Sequence, residues 1–111
     1  MAAVTDEMLG DLVRAIVAEV DPEQIILFGS RARGDAGPTS DADLLIVEKE
    51  PLGPSRSRWT ESARVWALAA RFRASVDILL YSRDEIERWR HSRNHVIGRA
   101  TREGRLLYER A

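Results

Sequence analysis

The sequence has 111 residues, of which 44% are hydrophobic and 32% are charged. This length and balance are typical of one folded domain, and the absence of cysteine excludes disulfides and thiolate metal sites. No apolar run approaches the roughly 20 residues that span a bilayer, and Met1–Val4 lacks the basic and apolar segments of a signal peptide. We therefore expect a single cytoplasmic domain over residues 1–111 without membrane contact.

Charge is divided unevenly along the chain, although the formal net charge is only −1. Residues 1–54 contain eleven acidic and four basic side chains, whereas residues 55–111 contain seven acidic and thirteen basic ones. Sixteen of the seventeen basic residues are arginine. The pattern fits either a compositional bias or a basic half that faces a polyanion or an acidic partner. The charge alone does not distinguish these two interpretations.

The first half of the chain predicts a helix and then two strands. Thr5–Val20 begins with a capping threonine and two acidic residues and continues with apolar residues at helical spacing. The following Asp-Pro pair ends this helix, because proline cannot continue it. The remaining segments are a strand at Gln24–Phe28, a turn or short helix at Gly29–Gly34, a loop at Asp35–Ser40 and a strand at Asp41–Glu48.

The second half predicts further helices and strands in alternation. After a break at Pro51–Pro54, a helix at Ser55–Phe72 has a set of apolar residues near one face: Trp59, Ala63, Trp66, Ala67 and Ala70. The later elements are a strand at Ser75–Tyr81, a helix opened by a capping box of Ser82 and Glu85, a helix at Ser92–Glu103 with Gly104 as a left-handed cap, and a short edge strand at Leu106–Tyr108. The predicted class is α/β, or mixed α+β, with a small mixed sheet of three to four strands and about four helices.

Three acidic residues are predicted to converge. Asp41 and Asp43 lie two apart on one strand and so point to the same face, at the solvent-facing end of a buried strand. Their mutual repulsion would be relieved by a cation, and oxygen ligands suit Mg²⁺. If the third strand runs parallel to the second after a helical crossover, Asp77 takes the place beside Asp43. Such a cluster is able to hold two cations, as in phosphoryl transfer.

The turn after the first strand supplies groups that suit a phosphate. If the first two strands are antiparallel, Gly29 and Ser30 lie across a short gap from the carboxylates. Their backbone N–H groups and hydroxyl are suited to phosphate oxygens. Arg31 and Arg33 are placed to add positive charge; the alternative for both arginines is a solvated surface charge.

These residues resemble a known family. Gly-Ser, ten intervening residues and Asp-x-Asp form the signature of the DNA polymerase beta-like nucleotidyltransferase superfamily, and LFGSRARGDAGPTSDADLLIV is similar to its smallest branch, the minimal nucleotidyltransferases. The resemblance extends through VDILLY, where Asp77 matches the third catalytic aspartate, to the REGRLLYE tail. It therefore covers residues 5–109.

The resemblance implies roles for these residues. Gly29 and Ser30 would hold the triphosphate of ATP, Asp41 and Asp43 would bind two Mg²⁺ ions, with Mn²⁺ as a substitute, and Asp77 would complete one metal site and orient or deprotonate the attacking hydroxyl. The implied reaction transfers AMP to a hydroxyl and releases pyrophosphate. Many minimal nucleotidyltransferases are the antitoxin partners of all-helical HEPN toxins, and some attach AMP to a tyrosine hydroxyl of the toxin, so such a toxin is the expected acceptor and hetero-oligomer partner.

Two other functions are left open by the sequence. One is a non-catalytic antitoxin that neutralises its partner by steric contact, and the other is nucleotidyl transfer to a small-molecule hydroxyl. Direct binding of nucleic acid is not expected, and we interpret the three tryptophans as core or partner-facing side chains. A metal site at His91 and His95 is discounted because the pair lacks a third ligand. Arg90–His95 also matches the ribonuclease motif of HEPN toxins, but that domain is all-helical.

Overall fold

A computed structural model describes residues 4–34 and 41–111, and its elements follow the predicted order. They are α1 (Asp6–Val20), β1 (Gln24–Phe28), α2 (Gly29–Arg33), β2 (Ala42–Glu48), α3 (Arg58–Arg71), β3 (Val76–Ser82), α4 (Arg83–Trp89), α5 (Val96–Glu103) and β4 (Arg105–Glu109). The loop predicted at Asp35–Ser40 lies outside the described residues. The α/β class with a small mixed sheet is confirmed, with α2 as a fifth helix.

The four strands form one sheet in the order β3-β2-β1-β4. β1 is antiparallel to both β2 and β4, whereas β2 and β3 are parallel and are joined through α3. Both strand pairings on which the predicted convergence of acidic residues depends are therefore confirmed. The edge strand near the C-terminus is also confirmed and is two residues longer than expected.

Helices cover both faces of the sheet. On one face, α1 and α3 pack over a core that includes Leu12, Ile16 and Val65, all fully buried. On the other face, α4 and α5 pack over a smaller core around Leu45 and Ile97. None of the helices in residues 4–34 and 41–111 has the length and hydrophobicity needed to cross a membrane.

Local signals account for most helix starts. The Thr5 hydroxyl accepts the N–H of Met8 at 3.1 Å and caps α1, and the predicted capping box of Ser82 and Glu85 is present at α4. α3 begins at Arg58 and not at Ser55, because Gly53 and Arg56 form an isolated antiparallel bridge first and the Ser57 side chain then caps the helix.

Two expectations around α5 are wrong. The helix begins at Val96 and not at Ser92, and the Ser92 carbonyl packs so closely on Gly98 that a Cβ there would lie 1.8 Å from its oxygen. Gly104 is not a left-handed cap, because its φ is −75° and the chain continues extended into β4. A Cβ on Gly104 would lie 2.2 Å from the Ala100 oxygen and 2.4 Å from Ile26 Cγ2. Glycine therefore permits close packing at both positions.

The apolar set on α3 faces solvent. The buried side of this helix consists of Glu61, Val65, Leu68 and Ala69, whereas the side that includes the two tryptophans is exposed along its length. Trp59 is 86% exposed and Trp66 43%. Of the two environments expected for these tryptophans, the core is therefore excluded.

Candidate active site

Strand register brings the predicted acidic residues together. Phe28 of β1 is the partner of Asp43 in β2, and Asp43 is in turn the partner of Asp77 in β3. Asp43 and Asp77 each precede by two residues a leucine that packs in the core beneath α4 and α5, so both side chains point to that face of the sheet. Asp43 is half-buried and Asp77 is exposed, which places the pair at the solvent-facing edge of the face.

Asp41 lies just before β2 and is exposed. Its carboxylate accepts a hydrogen bond from the hydroxyl of Ser75, and the Ala42 N–H donates to the Ser75 carbonyl oxygen at 3.2 Å. These two bonds fasten the entry of β2 to the entry of β3, so that all three carboxylates occupy one end of the sheet.

Gly29 forms the wall of the site opposite Asp43. Its φ is +74°, a conformation that strongly favours glycine. A Cβ built on Gly29 would lie 2.2 Å from Asp43 Oδ2, so no other residue fits without moving that carboxylate. The predicted proximity of the glycine turn to the carboxylates is therefore present, and Ser30 follows as the half-buried second residue of α2.

Asp43 has a raised proton affinity in this cluster. Burial raises the pKa of Asp43 above its usual value, and the neighbouring Asp77 and Asp41 raise it further, while Arg33 acts in the opposite direction. A carboxylate whose pKa is raised by two like charges is favourably placed to bind a cation. Such convergence is more typical of a functional site than of a structural network.

The two arginines of α2 have different surroundings. The Arg31 guanidinium lies 3.5 Å from a carboxylate oxygen of Asp6 in α1 and is mostly buried. Arg33 lies 3.5 Å from Glu103 at the end of α5 and is near enough to Asp43 to lower its pKa. Of the two, only Arg33 is in electrostatic contact with the acidic cluster.

Comparison with known proteins agrees with this geometry. The family model of the nucleotidyltransferase domain matches residues 11–105. The chain belongs to this family. The matched range contains the Gly-Ser turn and all three aspartates.

Relatives of this nucleotidyltransferase domain include one curated sequence and several solved structures. A provisionally named protein adenylyltransferase of Methanocaldococcus jannaschii is 38% identical over 58 residues, which are 52% of this chain and 54% of that protein; the match thus spans about half the length of this relative. A provisionally named nucleotidyltransferase from Sulfolobus solfataricus has a TM-score of 0.61 at 25% identity, covering 94% of this chain and 79% of that one. A toxin-antitoxin structure with AMP-PNP has a TM-score of 0.56 at 20% identity, covering 91% and 73%.

The donor set of the nucleotidyltransferase site fits a hard divalent cation. Within the described ranges, no group of three or more acidic or histidine side chains is already arranged for metal coordination. The site nevertheless offers carboxylate oxygens of Asp41, Asp43 and Asp77, and these are the donors that Mg²⁺ prefers. Burial raises the pKa of Asp43, Asp77 and Asp41 raise it further, and a bound cation would offset that repulsion.

Sequence reasoning missed two features of this domain. Ser75 supports Asp41 through its hydroxyl, and a signal was available, because a residue just before β3 lies beside the residue just before β2. The second is a buried cluster of Glu48, Arg56 and Glu61 at the opposite end of β2. Glu48 closes an apolar strand, but its partners are distant enough in sequence that no local pattern predicts them.

Proposed function

We propose that this domain transfers AMP from ATP to a hydroxyl of a partner protein and thereby acts as an antitoxin. The single observation that supports the reaction is the register that sets Asp43 beside Asp77 and against Gly29. Membership of the nucleotidyltransferase family agrees with it. Such chemistry needs positioned charges more than reactive side chains, and the site consists of positioned carboxylates beside a glycine turn.

Each group in the site has a role in this proposal. Asp41, Asp43 and Asp77 would hold two Mg²⁺ ions, for which Mn²⁺ would substitute, and bound metal would neutralise the triphosphate and favour attack at its α-phosphorus. The backbone of Gly29 and Ser30 binds the distal phosphates, and Arg33 adds positive charge beside them. Arg31 contacts the nucleotide only if its guanidinium leaves the Asp6 carboxylate.

The atoms balance in a single displacement. The acceptor oxygen forms a bond to the α-phosphorus of ATP, the bond from that phosphorus to the bridging oxygen of the β-phosphate breaks, and pyrophosphate leaves. The proton of the acceptor hydroxyl passes to a carboxylate oxygen of Asp77. Asp77 is more exposed than its strand partner Asp43 and is therefore more accessible to an incoming substrate. Asp77 therefore both orients and deprotonates the nucleophile.

The acceptor in this proposal is a tyrosine hydroxyl of an all-helical HEPN-type toxin, in a cytoplasmic hetero-oligomer. Two relatives support it to different degrees. The Methanocaldococcus jannaschii sequence is provisionally named for transfer of AMP to protein, and the fold is shared with a toxin-antitoxin pair solved with AMP-PNP. The resemblance of the Gly-Ser to Asp-x-Asp segment to minimal nucleotidyltransferases points to the same kind of partner.

Isotope position tests the reaction. Label on the α-phosphate of ATP should be transferred to a co-purified HEPN-type protein, whereas label on the γ-phosphate should not. Asp77→Asn should keep ATP binding and slow transfer by orders of magnitude, because the nucleophile loses its base and its anchor. Transfer of γ-label instead would show a kinase and overturn the proposal.

A purely steric antitoxin is the second candidate function. It is favoured by the exposure of Trp59, which gives the domain a large binding side chain that catalysis does not need. The same variant separates the two functions. If wild type and Asp77→Asn neutralise the toxin equally and neither transfers label, contact alone is sufficient.

A further inference from the structure

One side of α3 is an apolar surface without a partner among the described residues. Five side chains share this side and are all exposed; they are Trp59, Ala63, Trp66, Ala67 and Ala70, and we call them the α3 stripe. Trp59 is 86% exposed and Trp66 is 43% exposed. Over the eleven residue steps from Trp59 to Ala70 the helix rises about 16 Å, so the stripe is long enough to seat another helix.

The fold does not need the α3 stripe. The opposite side of α3 supplies Val65, Leu68 and Ala69 to the core against α1 and β3. A tryptophan buries about 150–250 Å² when it is covered, and two of them on one helix form a patch of the kind that marks an interaction surface. Covering the stripe is therefore favourable for a partner and unnecessary for folding.

Charges beside the α3 stripe favour an acidic partner. Arg64 and Arg71, seven residues apart, lie along one margin of the stripe. The one acidic residue of α3 is Glu61, which is 7% exposed and is paired with Arg56 and Arg64. Arg64 is also paired with Glu19 of α1, so the exposed cation at this margin is Arg71, and a partner with acidic side chains around an apolar seat is complementary to it.

The α3 stripe leads to the active site. Its last residue, Ala70, is followed by a four-residue connection to β3, in which the Arg73 N–H donates to the Ala70 oxygen at 3.0 Å. Arg73 has a φ of +54°, a conformation in which glycine is usual at the end of a helix. Two residues later Ser75 donates to Asp41. An exposed cation therefore stands between the stripe and the catalytic carboxylates.

We propose that the α3 stripe is the docking surface for the acceptor protein, and that this protein presents an apolar seat with an acidic rim. Trp59 and Trp66 are the anchors, and Arg71 and Arg73 attract the acidic rim at the end nearest the site. A partner held there lies against the helix that precedes β3, the strand that carries Asp77. This inference rests on the proposed function for the identity of the acceptor, but its binding step requires no catalysis.

Binding without ATP tests the surface separately from the reaction. The probe is a HEPN-type protein co-expressed with this chain, and the readout is its Kd for the full chain by calorimetry. Trp59→Ala combined with Trp66→Ala should raise Kd at least about 30-fold, since buried tryptophans are frequent interface anchors. The matched control is Trp89→Ala, because Trp89 is 39% exposed but lies in α4 and stacks on His95; its Kd should change by no more than about twofold.

Arg73→Gly provides a second variant with an opposite effect on stability. Glycine removes the strain of the left-handed backbone at this position, so Tm should rise. Loss of the cation should raise Kd for the partner and make Kd less dependent on salt concentration. If Arg73 had only a structural role, Arg73→Gly would raise Tm and leave Kd unchanged.

Several outcomes overturn the docking surface. The first is a Kd of wild-type size in the double tryptophan variant while its circular dichroism spectrum is unchanged. The second is the absence of a complex between the wild-type chain and the HEPN-type protein. The third is a wild-type dimer in sedimentation that the double variant abolishes without loss of partner binding, because the stripe would then join two copies of this chain. A complex that forms through the tryptophans but transfers no α-label contradicts the proposed function and leaves the docking surface supported.

Discussion

Gly29 shows how much of the site is set by a single residue. Its left-handed backbone turns the chain from β1 into α2, and its missing side chain leaves room for the Asp43 carboxylate. The same position in any other residue type would meet two separate penalties, one in the backbone and one against the carboxylate. The positive φ of this glycine therefore affects stability, whereas its missing Cβ affects the geometry of the site. The two effects can be measured separately.

Gly29→Ala should destabilise the fold and abolish transfer. The left-handed backbone costs about 1–2 kcal/mol for a residue with a Cβ, and the added methyl displaces the Asp43 carboxylate. The control is Gly34→Ala, where φ is +82° but no atom of residues 4–34 or 41–111 is found within 4 Å of the new Cβ. Thermal unfolding should show the backbone loss in both variants and a larger loss in Gly29→Ala, whereas α-label transfer should be lost only in Gly29→Ala. Equal transfer by the two variants would show that the contact with Asp43 is unimportant.

At the scale of elements, the parallel pairing of β2 and β3 sets like charges side by side. Strand pairing favours opposite charges across neighbouring positions and is weakened by like ones, yet Asp43 faces Asp77 directly. The β2–β3 pair is stable because the residues that follow, such as Leu44 and Leu80, are buried. The fold therefore accepts a local repulsion at the end of two strands whose remainder is apolar.

Asp43→Asn should raise Tm in the presence of a chelator, because it removes one charge from the repelling group. The same variant should lose the increase in Tm that Mg²⁺, and more strongly Mg²⁺ with ATP, gives to wild type. Glu7→Gln, an exposed change on α1, serves as the control for loss of one acidic charge. A Mg²⁺ response of wild-type size in Asp43→Asn would remove this residue from the metal site.

The sequence was sufficient for those elements whose signals are local. The Thr5 cap, the strand at Gln24–Phe28 and the match of Asp43 with Asp77 follow from neighbouring residues and from the handedness of a strand-helix-strand crossover. Gly104 was wrongly expected to be left-handed. Glycine is needed there because a Cβ would collide with the Ile26 side chain on β1, a strand distant in sequence. Contacts between segments remote in sequence, such as Arg56 with Glu48, have no signature in a single chain.

At the scale of the whole molecule, the two ends of β2 hold two acidic groups with different surroundings. One end has the exposed active site, and the other ends at Glu48, which is 1% exposed. Arg56 donates to Glu48 Oε1 at 2.5 Å and lies 3.4 Å from Glu61 Oε1. Arg56 therefore contacts both buried carboxylates, Arg64 lies 3.5 Å from Glu61, and the repulsion between Glu48 and Glu61 is relieved most simply by a proton. Stability of the entire domain is coupled to pH through this cluster.

Glu48→Gln should flatten the pH dependence of stability. Burial, with Glu61 next, raises the pKa of Glu48 from 4.5 to about 7, against the opposing effect of Arg56. The folded state then holds the proton more tightly than the unfolded state, so wild-type stability should fall as pH rises from about 4.5 to about 7, by at most about 1.4 kcal/mol per pH unit. Glutamine cannot ionise, and this fall should disappear from urea unfolding curves of the variant across the same range.

The exposed Glu50 two residues away provides the control, since Glu50→Gln should keep the wild-type slope of stability against pH. Asp84 and Glu85 have lowered pKa values and act in the opposite sense at lower pH, so they do not imitate the effect. An unchanged slope in Glu48→Gln would show that the buried carboxylate stays ionised and that Arg56 alone compensates it.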